Sequence, residues 1–270
     1  MKKGIFTLLF ASLFFLAQAQ MGWEAGGWIG SSFYFGDLNT EFNLKPALAG
    51  GLVGRYNFNE RICLKFSANY GSISADDANS QNTYQQTRNL HFRSTVFDGA
   101  TQMEFNFLPY VHGSKDKFYT PYLFAGFSVF HFEPQAKYQG DWVDLRPLGT
   151  EGQFKGEEYS TLQGALVYGF GLKLDLSYEW SLNFELSSRR LFTDYLDDVS
   201  TVYPDLDDLG SLHGQIAVDL SDPSFPSPEG IKIGQVGRQR GNSNSNDIFV
   251  FVGIGLVYYF GDIRCPPYSR

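Results

Sequence analysis

Four stretches of this chain alternate apolar and polar side chains with a period of two, the signature of a strand whose two faces meet different surroundings. In residues 61–72, Ile62, Leu64, Phe66, Ala68 and Tyr70 share one face, and Cys63, Lys65, Ser67 and Asn69 share the other. Residues 94–108 set Phe97, Gly99, Thr101, Met103, Phe105 and Phe107 against Asp98, Gln102, Glu104 and Asn106. Residues 162–176 set Leu166, Tyr168, Phe170, Leu172, Leu174 and Leu176 against Gly169, Gly171, Lys173 and Asp175. In residues 180–193, Trp180, Leu182, Phe184 and Leu186 oppose Asn183, Glu185, Ser187 and Arg189. Less regular patterns predict further strands over 24–35, 46–58 and 118–132, and a last one over 247–260. That last strand carries Ile248, Val250, Val252, Ile254, Leu256, Tyr258 and Phe260 on one face, long enough to span a bilayer at a tilt. Its other face is also largely apolar, so alone it fits a buried sandwich strand equally well.

A soluble sandwich would turn the polar rows to water, whereas a membrane barrel turns them inward and gives the apolar rows to lipid. The connections favour the barrel. Residues 57–60 and 177–179 are tight turns and 109–117 a modest one, while 36–45, 73–93, 133–161 and 194–246 are long. Short and long connections alternate, which places both chain ends on the short-turn side. In bacterial outer-membrane barrels that side faces the periplasm. The expected fold is therefore all-β: an eight-stranded antiparallel transmembrane outer-membrane β-barrel, with long extracellular loops, short periplasmic turns and periplasmic termini. Such a barrel has a narrow lumen packed by side chains. Lys65, Lys173, Arg189, Glu104, Asp175 and Glu185 are then candidates for an internal charge network that supports structure.

The start of the chain points to export. Lys2 and Lys3 precede an apolar run, and Ala17-Gln18-Ala19 offers a small-x-small cleavage site. The expected organisation is a signal peptide over 1–19, a barrel over 20–262 and a periplasmic tail over 263–270. Aromatic residues make up 17% of the chain, including 26 Phe and 16 Tyr, which suits strands and membrane girdles. Net charge is −8, and it becomes more negative when Lys2 and Lys3 leave, so a broad nucleic-acid surface is not expected.

No cofactor, metal or catalytic set is expected, and the chain is read as a non-enzyme. Asp194, Asp197, Asp198, Asp205, Asp207 and Asp208 offer hard oxygen ligands, but they lack the spacing of a helix-loop-helix calcium loop. His91, His112, His131 and His213 are dispersed. Ser128, His131 and Glu133 leave a lipid hydrolase as an alternative, provided that nucleophile, base and orienter converge. A small-solute porin and a purely structural barrel are the others. Cys63 and Cys265 are a candidate disulfide permitted by export, with free thiols or pairing of Cys265 to another protein equally open. The long connection over 194–246, acidic first and Pro-rich later, suits a lid, a partner surface or local disorder.

Several motifs together resemble the PorG-like outer-membrane family associated with type IX protein secretion in Bacteroidota. They are Tyr34-Phe35-Gly36-Asp37-Leu38-Asn39, Pro46, Arg55-Tyr56, Asp76-Asp77, Arg88-Asn89-Leu90-His91-Phe92-Arg93-Ser94 and Glu104-Phe105-Asn106-Phe107. Near the end come Gly253-Ile254-Gly255-Leu256, Tyr258-Tyr259-Phe260-Gly261 and Cys265-Pro266. The resemblance implies an outer-membrane anchoring or assembly component of the secretion machinery. Its partners would be outer-membrane lipids and the periplasmic ring, built by a lipoprotein and a companion subunit. On that expectation Arg61, Lys115, Lys117, Arg264 and Arg270, on the short turns and the tail, are the candidate partner contacts.

Overall fold

The computed structural model describes residues 22–39 and 45–261. The expected signal peptide, the tail over 263–270, Arg264, Arg270 and Cys265 lie outside the described residues, and with them the Cys63–Cys265 pairing. Nine strands follow one another: β1 (Gly22–Phe35), β2 (Ala47–Asn57), β3 (Ile62–Asp76), β4 (His91–Asn106), β5 (Tyr119–Tyr138), β6 (Asp141–Asp144), β7 (Leu162–Asp175), β8 (Trp180–Leu191) and β9 (Ile248–Tyr259). All but β6 form a closed antiparallel barrel in the order β1-β2-β3-β4-β5-β7-β8-β9, with β9 pairing back onto β1 from Glu24↔Tyr259 to Phe35↔Ile248. The eight expected strands are the eight barrel strands.

The alternation read from sequence decides which face goes where. Ile29, Leu48, Leu52, Phe97, Phe127, Val129, Phe170 and Ile254 stand exposed on the outer wall, while Lys65, Asp98, Glu104, Lys173 and Arg189 are buried inside. No helix among the described residues is long and apolar enough to cross a membrane. The strands are. The outward apolar row of β5 runs from Tyr119 to Val129, about 33 Å along the strand and roughly 25 Å along the barrel axis at the usual tilt. Aromatic pairs ring the short-turn rim: Trp23 with Tyr56, Phe105 with Phe107, Phe118 with Tyr119, and Trp180 with Tyr258. This is the exterior of a transmembrane barrel of the outer-membrane kind, with indoles and phenols at an interface.

At the other rim the strands run further than the alternation suggests. β3 continues to Asp76, β4 starts at His91 and β5 reaches Tyr138 before turning back as β6, where a plain loop was expected. Ser72, Ser74, Arg93, Gln135 and Lys137 interrupt the apolar outer row because that row has left the hydrocarbon. The inner row stays apolar, with Ile73, Ala75, Phe92, Phe132 and Ala136 buried. The long connections are folded too. Helix α1 (Thr83–Arg88) lies in the second, and α2 (Leu206–His213) and α3 (Gln215–Ser221) in the fourth. Together they cap the mouth over Tyr34, Leu38, Leu90, Leu145, Leu196, Val199 and Leu220, continuous with Phe130, Phe249 and Phe251 in the upper lumen. The fourth connection is thus a folded part of this cap.

Barrel closure depends on two glycines of β1. A Cβ on Gly26 or Gly30 would collide with the backbone carbonyl of Leu256 or Val252 on β9, where no rotamer change relieves it. Gly30→Val is expected to cost about 2 kcal/mol or more, read as a lower urea midpoint of the barrel in lipid vesicles. An unchanged midpoint would show that the seam has slack.

Candidate partner-docking face and the charged lumen behind it

The short-turn end is built from three connections: residues 58–61, 107–118 and 176–179. The first two brace each other. Arg61 Nη1 donates to the Phe107 carbonyl at 2.7 Å, Tyr110 N donates to the Glu60 carbonyl at 3.1 Å, and Lys117 Nζ pairs with Glu60 at 2.8 Å. Two of the expected partner contacts, Arg61 and Lys117, are therefore drawn into one composite surface by local partners, and Lys115 stands exposed at its tip. The Lys117–Glu60 pair is half exposed and contributes little stability by itself.

What makes this surface rigid lies behind it. The second turn folds inward and inserts Tyr110 and His112 into the base of the lumen, both buried. His112 Nε2 lies 3.0 Å from Glu24 Oε1, and its Nδ1 lies 3.1 Å from Asp175 Oδ1. The ring stacks on Tyr259 with centroids 4.3 Å apart. Gly113 N and the Tyr110 hydroxyl also donate to Asp175. Burial opposes a charged ring, but the hydrogen bonds and charges of Asp175 and Glu24 outweigh it and push the His112 pKa up to about 9. At neutral pH the turn is clipped to β1 and β7 by an imidazolium.

Above this clip the internal charge network takes form. Glu104 receives Arg55 Nε at 2.7 Å, Lys173 Nζ at 2.7 Å and Lys65 Nζ at 3.5 Å. Arg55 reaches down to Glu24 at 2.5 Å and Lys65 up to Glu185 at 2.6 Å. Four carboxylates (Glu24, Glu104, Asp175, Glu185) thus meet four cations (Arg55, Lys65, Lys173, His112), and the charges cancel. Tyr122 donates to Glu185, and its ring faces Lys173 at 4.7 Å. One level higher Arg189 pairs with Asp98 at 3.0 Å, Asn69 donates to Asp98, and Trp28 Nε1 donates to Asn69 at 2.9 Å.

Of the six residues expected for such a network, Lys65, Lys173, Glu104, Asp175 and Glu185 join it, and Arg189 pairs with Asp98 one level above. Glu24, Arg55, Tyr110 and His112 complete it without being marked by the alternation. Glu24 and Arg55 sit directly opposite each other on β1 and β2, a cross-strand signal hidden because glycines obscure the alternation there. Nothing local marks a turn residue that folds into the lumen. Cys63 faces inward and is fully buried, its sulfur 3.7 Å from Lys173 Nζ and from Asn106 Nδ2.

Two alternatives meet this geometry. The void beside Lys65, Asn183 and Arg189 measures about 40 Å³, room for a few water molecules, and the cap closes the lumen above it. A porin needs an open passage. Ser128 points into the lumen while His131 faces outward beside Thr161 and Glu133, so the sketched hydrolase triad does not converge. Among the described residues no three His, Cys, Asp or Glu side chains are placed to hold a metal ion. The acidic run divides instead: Asp205, Asp207 and Asp208 start α2, whereas Asp194, Asp197 and Asp198 are buried in the cap.

In the cap, several motif residues converge. The Tyr34 hydroxyl donates to Asp197 at 2.5 Å and to Asp247 at 3.1 Å. Arg88 grips Asp77 through Nε and Nη2 at 2.7 and 2.9 Å, and it donates to the carbonyls of Asp37 and Arg240. Arg240 in turn reaches Glu151 at 3.1 Å. Burial and neighbouring carboxylates raise Asp194 to about 7, and burial raises Asp198 to about 6 against the pull of Arg240.

A protein-family model described as "Domain of unknown function (DUF6089)" matches residues 2–220, through most of α3. Among solved structures the chain is similar to Ail, the attachment invasion locus protein of Yersinia pestis, at 10% identity over 89% of this chain and 99% of that one, with a TM-score of 0.42. Neisserial surface protein A is similar at 10% identity over 88% and 97% of the two chains, with a TM-score of 0.44. OprG of Pseudomonas aeruginosa is similar at 11% identity over 90% and 98%, with a TM-score of 0.42. No curated protein matches the chain.

Proposed function

The chain belongs to the DUF6089 family, and we propose, from the motifs that resemble the PorG-like family, that it is an outer-membrane anchoring or assembly component of the type IX protein secretion machinery. In this reading the barrel sits in the outer membrane with its short turns in the periplasm, where they contact the periplasmic ring lipoprotein and its companion subunit. The observation that carries it is a lumen blocked by a charge-neutral network whose lowest member, His112, holds the exposed turn in place. A plugged barrel offers no route for cargo, so its work falls to its surfaces. The short-turn surface is given a rigid support from inside the barrel by His112 and Tyr110. Arg61, Lys115 and Lys117 supply complementary charge there, and charge of this kind governs partner choice and encounter rate more than affinity.

Site-specific cross-linking in native membranes tests the reading. A cysteine-directed cross-linker on Lys115→Cys is expected to capture the ring lipoprotein, and the same reagent on Glu157→Cys, in the third long connection, is expected to leave it free. Capture from Glu157→Cys alone would reverse the orientation, and capture from neither would remove the ring from the proposal.

A further inference from the structure

On the long-loop side, a groove of about 400 Å³ opens between residues 152–154 of the third connection and helix α2 of the fourth. Its size lies within the range of ligand pockets, about 300–1,000 Å³. The groove is made by a close crossing of the two loops. Gly152 is left-handed (φ +87°), and a Cβ there would stand 2.9 Å from Pro204 Cβ. Glycine lets the chain pass Pro204 and return with Phe154 beside the helix. His213, at the end of α2, lies 2.9 Å from the Gln153 carbonyl and fixes the same crossing from the other side.

The lining is apolar at depth and acidic at the mouth. Leu209 is buried in the floor, while Leu212 on the same helical stripe is 41% exposed and Phe154 opposite it is 59% exposed. Asp205 and Asp208 stand at the rim, and Asp207 is exposed beside them. None of the lining residues is a cation, and Lys155 follows Phe154 in the chain. The α2 N-terminus adds only about half a positive charge, and Asp205 already caps it by accepting from Asp207 N and Asp208 N. The mouth therefore keeps a negative surplus over an uncovered apolar slot.

We propose that this groove docks a cationic segment of a partner protein that buries one bulky apolar side chain between Phe154 and Leu212, with its Lys or Arg side chains facing Asp205 and Asp208. A lipid chain is a poor occupant, because the groove belongs to the cap and not to the apolar outer wall. A second copy of this chain would bring the same carboxylates and a net charge of −8, opposing like with like. An amphipathic segment with apolar anchors and a basic rim matches both features.

The test uses the purified full chain in nanodiscs of zwitterionic lipid and two labelled short peptides. One alternates Lys with Leu and Phe, and its twin carries Glu in place of Lys; anisotropy titrations read binding above that of empty nanodiscs. The cationic peptide is expected to bind at least about tenfold more tightly than its twin and to weaken as salt rises. Asp205→Asn with Asp208→Asn is expected to weaken it about fivefold or more, and Leu212→Ser likewise, in variants that keep the heat-modifiable mobility of a folded barrel. Equal binding of the two peptides, no saturable binding to the native chain, or insensitivity to both sets of substitutions would each overturn the proposal.

Discussion

Glu104→Gln is expected to destabilise the barrel by about 3–5 kcal/mol, the usual consequence of removing one partner from a buried ion pair. The substitution keeps the shape of the side chain and removes only its charge. Arg55 still has Glu24 and Lys65 still has Glu185, but Lys173, fully buried, loses its carboxylate partner. A buried ammonium facing the Tyr122 and Tyr110 rings, the Cys63 sulfur and a neutral amide is poorly compensated. Urea unfolding in lipid vesicles, followed by tryptophan fluorescence, reads the loss. Adding Lys173→Met to Glu104→Gln is expected to recover about 2 kcal/mol or more, since the stranded charge leaves with its partner. Stability of Glu104→Gln within about 1 kcal/mol of the native barrel would mean that water reaches Lys173 and solvates it.

The second large effect belongs to His112. A pKa raised from 6.5 to about 9 by the hydrogen bonds and charges of Asp175 and Glu24, against the opposing effect of burial, makes the folded state hold the proton more tightly than the unfolded chain does. The associated stability, roughly 3 kcal/mol at about 1.4 kcal/mol per unit, is fully present below pH about 6.5 and is lost as pH rises through about 9. His112→Ala should therefore lower stability at pH 6 by that order, and the gap to the native chain should close by pH about 10. The cap works in a different window. Asp194 and Asp198, raised from 3.8 to about 7 and about 6, favour the fold most below pH about 4, and that contribution is lost as pH climbs to neutrality. Because the cap carboxylates are common to both proteins, the difference between native and His112→Ala curves isolates the clip. A gap of constant size from pH 6 to 10 would show that His112 acts by packing on Tyr259 alone.

Much of the barrel was readable because its two solvents differ. Lipid outside and a packed polar lumen inside impose a strict period of two on β3, β4, β7 and β8, so their inward residues were named from sequence. Where a second constraint relaxes the rule, the alternation blurs. On β1 and β2, glycines make room for the Trp28 indole and for strand closure, and Glu24 and Arg55 were overlooked among them. Above the hydrocarbon the outer row turns polar, so the strands extend past the ends that the alternation marks. The turn that carries His112 gave no periodic signal, since turns repeat nothing.

By itself, then, the sequence determined the strand count, the inward and outward faces, the alternation of short and long connections and the membrane-facing exterior. Each follows from local pattern and from the solvent that a side chain must meet. Only the tertiary structure decided that Glu104 gathers three cations, that His112 locks a turn to two strands, and that the fourth long connection folds into the cap. Those outcomes join residues far apart in the chain, such as His112 with Glu24 and Arg240 with Glu151. Burial fixes such pairs: a charge withdrawn from water takes whatever partner the closed barrel places within reach.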